Sequence, residues 1–211
     1  MNEECLNTKE QLLECAKKEF LAKGFKNSSL RNICKMAGVT TGAVYGYFKD
    51  KDSIFVALVQ DAIDGLKNLI DEIENGESEE DIFKLVATKE DRVNLVQTHN
   101  RYVDYVYDNF DSMKLIILHS DGSSVENCIE EISKGLIQID ENILKQLDGQ
   151  GIHVEEFVLH MLVKFYVTSI CELVRYNIPH EQALKYMTTL SIFFFAGWAE
   201  LLKTKNDKLE F

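Results

Sequence analysis

Residues 38–54 contain the side chains best suited to specific chemical interactions. They are hydroxyl, aromatic and cationic groups at helical spacing. A tight turn at Gly38 is predicted to lead into a helix of about two turns that ends near Phe48. Residues 28–37, just before the turn, have the spacing of another short helix. A helix, a short glycine-containing turn and a second helix form the arrangement that places the second helix in the major groove of DNA. The chemistry predicted here is therefore hydrogen bonding to bases and phosphates.

Successive side chains on a helix point about 100° apart, which divides the second helix of this pair into two sides. Thr40, Val44 and Phe48 are predicted to face the core. The opposite side is predicted to carry Gly42, Ala43, Tyr45 and Gly46. Two glycines in so short a helix cost about 1 kcal/mol each relative to alanine, so packing of the core side has to hold the helix.

A functional reason for these glycines is close approach of the backbone to the floor of the groove. Base contacts are then expected from the Thr41 hydroxyl, from Ala43 against a thymine methyl, and from Tyr45. The alternative interpretation is a short, loosely specified turn helix with no part in recognition.

Capping residues predict where the surrounding helices begin and end. Thr8, with a glutamine three residues later, forms a capping-box pattern that is predicted to open the first helix. Gly24 is expected to end that helix, since glycine tolerates a left-handed cap. Ser28, Thr40 and Asp50 are the predicted N-caps of the second, third and fourth helices.

Apolar spacing predicts helices in the rest of the chain. Their expected ranges are about 50–75, 89–109, 124–147, 154–176 and 180–203, with short segments at 81–87 and 111–119 and a break at 149–151. The predicted fold is all-α. A three-helix helix-turn-helix head at residues 1–52 is joined by the helix at about 50–75 to a larger helical body, residues 53–211.

Composition and charge favour a helical globular protein with one end adapted to nucleic acid. The 211 residues are 45% hydrophobic and include one proline, and the net charge is −12. Residues 1–60 contain nine Lys and Arg against seven Asp and Glu, a net charge of +2, whereas residues 61–211 contain 14 against 28, a net charge of −14. The chain has no uninterrupted apolar run of about 18 residues and no signal-like N-terminus, so we expect a cytoplasmic protein that does not enter a membrane.

The other residues that could act in catalysis or bind a metal do not form a recognisable site. The five cysteines are scattered, with no Cys-x-x-Cys pair, and the five histidines show no metal-ligand spacing. No phosphate-binding glycine loop and no nucleophile elbow occur. The sequence therefore predicts no metal, no cofactor, no catalytic residue and no enzyme activity.

The pattern Gly-Val-Thr-x-Gly-Ala-Val-Tyr-x-Tyr-Phe-Lys-x-Lys-Asp at residues 38–52 resembles the DNA-binding head of the TetR family of bacterial transcriptional regulators. The resemblance covers roughly residues 8–60. It implies that the residues matching Tyr45, Tyr47 and Lys51 contact phosphates and that those matching Thr40–Ala43 lie around the bases.

The resemblance also implies phosphate contacts at the start of the second helix, where Ser28 and Arg31 stand. The chain departs from the family at two positions. Thr41 stands where lysine or arginine is frequent, and Gly46 where a larger side chain is usual. Both residues are smaller than those usual at these positions, so their side chains extend less far toward DNA.

The same resemblance implies a homodimer in which the helices at about 154–176 and 180–203 pair with their copies as a four-helix bundle. Both helices are apolar over arcs wider than one buried side needs, which favours a second packing partner. A large monomeric core is the alternative. A two-fold dimer would hold its two heads about 34–36 Å apart, or a multiple of that distance, on near-palindromic double-stranded operator DNA.

His99 is the best candidate for contact with a small-molecule effector, since it lies within the apolar half of the helix at about 89–109. Such a ring either satisfies a hydrogen bond in the core or lines a cavity. The family keeps an effector pocket among its middle helices, so the cavity stands beside the core hydrogen bond as an equal alternative. Weaker candidates are Tyr102, Tyr107, Cys128, Met161 and Phe165.

Two functions agree with these observations. The first is a homodimeric regulator, in particular a repressor released from a palindromic operator by a small-molecule effector. The second is a DNA-binding interaction protein whose acidic helical body recruits another protein. Release from DNA by a small molecule, as opposed to release by a protein extract, would separate them.

Overall fold

The computed structural model describes residues 3–76, 89–148 and 155–203, and within these ranges the protein is helical with no strand. The helices are α1 (Glu3–Asn27), α2 (Leu30–Ala37), α3 (Thr41–Val44), α4 (Lys51–Gly76), α5 (Lys89–Asp108), α6 (Phe110–His119), α7 (Cys128–Asp148), α8 (Glu156–Arg175) and α9 (His180–Lys203). The all-α prediction is confirmed. The expected segment at 81–87 and the break at 149–151 lie outside the described residues.

The chain packs as two compact units. The first comprises Met1–Gly65 together with Asn109–Ile129, and the second comprises Leu66–Asp108 together with Glu130–Phe211. Helix α4 therefore contributes residues to both units, and α6 belongs to the same unit as the N-terminal helices.

Three phenylalanine rings form the centre of the first unit. Phe20 and Phe25 of α1 lie with their centroids 5.1 and 5.3 Å from that of Phe55 in α4, both in edge-on contacts. Helix α1 also packs against α2 and α6. On α6, the Ser112 hydroxyl donates to the carbonyl oxygen of Leu58 at 2.9 Å, which links α6 to α4.

Helix α1 begins earlier than its capping pattern predicted. It starts at Glu3 rather than after Thr8, because the preceding residues include no helix breaker and two acidic residues suit the N-terminal end of the helix dipole. Gly24 was predicted to end α1. It interrupts the helix, with φ 73° and ψ 164°, but a last turn continues to Asn27, so the helix ends three residues later than predicted.

The N-cap residue of α2 is Ser29, which makes no side-chain capping hydrogen bond. The prediction that Ser28 caps α2 is therefore wrong. The Ser28 hydroxyl is buried and donates to the carbonyl oxygen of Phe25 at 2.6 Å, so it is not available to cap α2. The cap of α4 is as predicted. Asp50 Oδ1 accepts from the amide of Ser53 at 2.8 Å, and the Ser53 hydroxyl accepts from the amide of Asp50 at 3.0 Å.

Helix α3 has only four residues, shorter than the two turns predicted. Hydrogen-bonded turns extend it, with the amides of Tyr47 and Phe48 both donating to the carbonyl oxygen of Val44 at 2.9 Å. The predicted cap is confirmed, because the Thr40 hydroxyl accepts from the amide of Ala43 at 3.1 Å. Residues 40–48 are called the recognition segment below.

In the second unit α5 packs extensively against α9. Tyr107 of α5 donates its hydroxyl to the carbonyl oxygen of Ile178 at 2.5 Å, and His180 Nε2 lies 2.8 Å from Asp104 Oδ1. Helices α7 and α8 share an apolar cluster of Ile137, Leu159 and Val163.

The start of α7 differs from the prediction. Helix α7 begins at Cys128 rather than near residue 124, because residues 120–127 form hydrogen-bonded turns. Among the described helices, α8 is long and apolar enough to cross a membrane by length and composition alone. Apolar core helices of bundles meet the same criterion.

Candidate DNA-binding surface and effector site

The recognition segment presents an exposed row held by two buried side chains. Val44 is 1% exposed and Phe48 is 7% exposed, as predicted for its core side. Tyr45 is 59% exposed. The other exposed members are Thr40, Thr41, Gly42, Ala43 and Gly46, whereas Tyr47 is half-buried. The row therefore offers hydroxyl, methyl and phenol groups of the kinds that can contact base edges.

Thr40 was predicted to face the core, and this is wrong. Because its hydroxyl accepts from the amide of Ala43, Thr40 lies at the end of α3 and stays exposed. Its backbone and hydroxyl define the start of the segment.

The two glycines of the segment have different local environments. A Cβ on Gly46 would lie 3.2 Å from the carbonyl oxygen of Ala43, a tight contact, so local packing favours glycine there. A Cβ on Gly42 would meet only the Thr40 hydroxyl, at 3.9 Å. The protein itself therefore gives no steric reason for glycine at position 42, in keeping with close approach of another molecule.

The two candidates at the start of α2 differ in accessibility. Arg31 is exposed in the first turn of α2. Ser28 is buried, and its hydroxyl is already bonded to Phe25. Arg31 is thus the one of the pair whose side chain is free to extend into solvent.

Lys51 is directed into the protein rather than outward. Its Nζ donates to the carbonyl oxygens of Phe25 at 2.6 Å and Ser28 at 3.2 Å and lies 4.2 Å from the centroid of the Phe25 ring. Burial lowers the pKa of the Lys51 ammonium. The contacts are those of a cation that closes the carbonyl end of a broken helix.

Glu19 is a buried carboxylate that the sequence reasoning missed. It is 4% exposed and accepts from Lys23 Nζ at 2.9 Å, from the amide of Ser29 at 3.3 Å and from Asn32 Nδ2 at 2.6 Å. Burial raises the pKa of Glu19, but these hydrogen bonds outweigh it and hold the pKa below its usual value. An acidic residue next to Phe20 on the apolar side of α1 was the available signal.

In the second unit His99 lies among aromatic rings from three helices. Its centroid is 5.8 Å from that of Tyr102, 5.8 Å from that of Tyr166 and 4.8 Å from that of Phe195. Its Nδ1 is 2.9 Å from the carbonyl oxygen of Leu95. Because a carbonyl only accepts, Nδ1 carries the proton and the neutral ring presents Nε2 as an acceptor. Burial lowers the pKa of His99, opposed in part by the bond to Leu95.

Two buried polar atoms lie on the same pair of helices, α5 and α9. Asn100 Nδ2 donates to the Thr188 hydroxyl at 3.0 Å, but Asn100 Oδ1 has no hydrogen-bond partner among the described residues. Ser191 is fully buried, and within the same described ranges its hydroxyl has no partner either. Buried polar atoms of this kind are normally satisfied, so both are candidates for contact with water or a ligand.

The other predicted effector candidates have different surroundings. Tyr107 is bonded to Ile178 and stacks on His180. Cys128 is buried in the first unit, whereas His99 belongs to the second. Met161 and Phe165 are 49% and 44% exposed on α8. Of the predicted set, His99 and Tyr102 are therefore brought together, and the rings of Tyr166 and Phe195 that join them were not predicted.

Within the described ranges no three His, Cys, Asp or Glu side chains group in a way that could hold a metal ion.

Comparison with known proteins finds a family match in the N-terminal part of the chain. Residues 12–58 match the model of one protein family, described as bacterial regulatory proteins, tetR family. An uncharacterised HTH-type transcriptional regulator of Bacillus subtilis, YdgC, is 33% identical over 88 residues, which are 41% of this chain and 45% of that protein. The fatty acid metabolism regulator protein of the same species is 26% identical over 136 residues, 64% of this chain and 66% of that protein.

The crystal structure of the transcriptional regulator FadR from Bacillus subtilis, in complex with stearoyl-CoA, shares the fold. Its TM-score is 0.52 at 18% identity, and the alignment covers 93% of this chain and 98% of that chain. The chain spans less than half the length of the first curated relatives that it matches. The relatives described here are regulators and not enzymes, as the sequence predicted. Residues 12–58, which contain the recognition segment, are therefore similar to bacterial regulatory proteins of the tetR family.

Proposed function

We propose that the protein is a homodimeric, cytoplasmic transcriptional regulator that represses genes from a near-palindromic operator and leaves the DNA when a small-molecule effector binds. Residues 1–52 serve as the DNA-binding domain, and residues 53–211 serve as the effector-binding and dimerisation domain. Helix α4, which contributes to both units, carries the effector signal toward the heads.

The observation that supports this function best is the exposed row of the recognition segment. Thr41, Ala43 and Tyr45 extend into solvent while Val44 and Phe48 hold the segment from the other side. The family match covers these same residues. A methyl, a hydroxyl and a phenol on one short helix suit direct contact with base edges and the adjoining backbone.

The test is a gel shift of the purified protein on the intergenic DNA next to its own gene. The wild type is expected to retard this DNA specifically, and raising the salt concentration is expected to weaken the complex because phosphate contacts release counterions. Tyr45→Ala is expected to weaken the specific complex by about 1–3 kcal/mol, the usual worth of one good contact.

Tyr176→Ala is the matched control, since Tyr176 is 71% exposed at the end of α8. It is expected to bind as the wild type does. Retardation that is the same for Tyr45→Ala and wild type, or that shows no sequence preference at any salt concentration, would contradict the proposed role of the segment.

The ring cluster around His99 and the buried atoms of Asn100 and Ser191 support an effector site in the second unit. The crystal structure of FadR is a complex with stearoyl-CoA. Long-chain acyl-CoA thioesters and fatty acids are therefore the first compounds to test with this protein. A compound that binds this site is expected to dissociate the operator complex, and by linkage DNA must weaken its binding equally. Dissociation only by a protein extract would favour recruitment of another protein instead.

A further inference from the structure

Asn100 and Ser191 place two unpartnered polar atoms where α5 packs against α9. Asn100 Nδ2 donates to the Thr188 hydroxyl at 3.0 Å, which orients the amide and leaves its Oδ1 unbonded in the parts of the chain that the structure describes. Ser191 follows Thr188 by three positions, so the two hydroxyls lie on one face of α9. Ser191 is 0% exposed, and its hydroxyl is also unbonded among the described residues. A molecule that completes both hydrogen bonds is therefore expected to bind favourably here.

Aromatic rings occur along the same helix pair. His99 precedes Asn100 on α5, and its ring centroid lies 4.8 Å from that of Phe195, which follows Ser191 by one turn of α9. Tyr166 of α8 joins them, with its centroid 5.8 Å from that of His99. Burial lowers the pKa of His99, so its ring is uncharged at neutral pH. Apolar rings with a few uncharged polar atoms are typical of small-molecule sites.

The described cations of these helices are already used in ion pairs. Four lysine and arginine side chains are described on α5, α8 and α9, and each is paired with a carboxylate. The pairs are Arg101 with Glu72, Lys164 with Glu130, Arg175 with Glu172, and Lys185 with Glu181. A ligand carboxylate or phosphate between α5 and α9 would therefore bring an uncompensated charge into buried surroundings, which is strongly unfavourable.

A cationic ligand would meet the same difficulty. Asp104 lies one turn along α5 from Asn100, but its Oδ1 is 2.8 Å from His180 Nε2. Asn100 and Ser191 themselves carry no charge. The polar atoms at this position are thus suited to an uncharged group.

We infer that the effector is uncharged and carries a hydroxyl or amide group, which bonds to Asn100 Oδ1 on α5 and to the Ser191 hydroxyl on α9. The inference rests on the proposed function, whose effector it assigns to a chemical class. A hydroxyl or amide can donate to Oδ1, which only accepts, and can accept from Ser191. An ionised carboxylate cannot donate. Fatty acids, suggested above by likeness to FadR, are therefore expected to bind more weakly than the corresponding alcohols and amides.

Two series of probes separate the head group from the rest of the ligand. One series has a dodecyl chain and the other a naphthylmethyl group, and each carries a hydroxyl, a carboxamide, a carboxylate or an ammonium group. Isothermal titration calorimetry without DNA, at about pH 7.5 and below the critical micelle concentrations, keeps the last two groups ionised. In at least one series we expect the hydroxyl and carboxamide probes to bind at least about tenfold more tightly than both charged probes. Charged probes that bind as tightly, or no binding by any probe, would overturn the inference.

Ser191→Ala tests the hydroxyl with two readouts. Because the hydroxyl has no partner among the described residues, its removal is not expected to lower the melting temperature of the protein without ligand. It is expected to weaken binding of the hydroxyl and carboxamide probes by about tenfold, the usual effect of one lost hydrogen bond. A lower melting temperature with unchanged probe affinity would show a purely structural role and overturn the assignment of Ser191.

Thr189→Val is the matched control, since it also deletes a hydroxyl from α9. Thr189 is exposed, and its hydroxyl donates to the carbonyl oxygen of Lys185 at 2.9 Å within the helix. The variant is expected to bind every probe as the wild type does. Equal weakening in Thr189→Val and Ser191→Ala would reveal a general effect on α9 and contradict the proposed contact.

Asn100→Asp tests the second atom by reversing the preference for charge. A carboxylate at this position can keep the bond to Thr188, whose hydroxyl can donate to it. It also adds a negative charge next to the ligand's head group. We expect the ammonium probes to gain about tenfold in affinity relative to the hydroxyl probes. An unchanged order of the head groups would overturn the contact with Asn100.

Gel shifts with the same probes separate failure of this inference from failure of the proposed function. Hydroxyl or carboxamide probes that bind as expected but leave the operator complex intact would support the inference and contradict the proposed release from DNA. Release by carboxylates or acyl-CoA thioesters, with every uncharged probe ineffective, would support the proposed function and overturn the inference.

Discussion

His99 is held in its neutral form by the residues around it. Aromatic rings surround its imidazole, and burial lowers its pKa. The carbonyl of Leu95 fixes the proton on Nδ1. As a result Nε2 is an acceptor inside an otherwise apolar group of rings, which suits a neutral ligand with one hydrogen-bond donor.

Stability should therefore depend on pH through His99. The pKa of the folded state lies below the unfolded value of about 6.5, so the unfolded state binds more protons at mildly acidic pH. The stabilisation from the neutral His99 ring is fully present above the unfolded-state pKa of about 6.5. It is lost as the pH falls from there toward the lower pKa of the folded state. We expect the free energy of unfolding to fall more for wild type than for His99→Phe between about pH 7.5 and 5.5.

Urea unfolding followed by circular dichroism at both pH values measures this difference. The comparison at the higher pH gives the effect of replacing the ring itself. Identical pH dependence of the two proteins would contradict a depressed pKa at His99.

At the scale of elements, the break in α1 depends on one glycine. Gly24 has φ 73° and ψ 164°, a region that L side chains rarely adopt. Steric contact does not require glycine at position 24, because a Cβ there would come no closer than 3.8 Å to a neighbouring atom, Nδ1 of His119. The break lets the chain turn at Phe25 and offer its carbonyl to Lys51.

Gly24→Ala is expected to destabilise the protein by about 1–3 kcal/mol, because the native backbone conformation becomes strained. Gly135→Ala is the matched control, since Gly135 is in α7 and a Cβ added to it would have no neighbour within 4 Å. It is expected to stabilise the protein by up to about 1 kcal/mol through helix propensity. Chemical unfolding of both variants measures the difference, and a neutral Gly24→Ala would contradict the strain argument.

At the scale of the whole molecule, α8 and α9 leave apolar side chains in solvent. Phe157 is 71% exposed on α8, and Ile192 and Phe193 are 57% and 72% exposed on α9. Gly197 is also exposed, and no described neighbour lies within 4 Å of where its Cβ would be. Phe193 and Gly197 are four positions apart and share one face of α9, which suits close packing of a second helix, as the proposed four-helix dimer requires.

Phe193→Glu is expected to shift the protein from dimer to monomer, because each two-fold interface would bury two uncompensated charges. Sedimentation velocity at several protein concentrations measures the state directly. Val93→Glu introduces the same charge on α5, where Val93 is 46% exposed, and is expected to remain dimeric. Dimers of unchanged stability in Phe193→Glu would place the interface elsewhere.

Features that depend on nearby residues could be predicted from the sequence alone. These are the helical fold, the loss of helical conformation at Gly24, the caps at Thr40 and Asp50, and the burial of Val44 and Phe48. Each follows from backbone preferences, capping hydrogen bonds or helical periodicity, which act over a few positions. Errors within this group, such as the length of α3 and the cap at Ser28, arose where side chains had more than one available partner.

Contacts between residues that are distant in the sequence depend on the tertiary structure. Lys51 binds a carbonyl 26 positions earlier in the chain, and Glu19 binds Asn32 across the turn. His99 joins Tyr166 and Phe195 from two later helices. Periodicity assigns a side chain to a face of its helix, but the partner on that face depends on how helices converge in space, which no local pattern encodes.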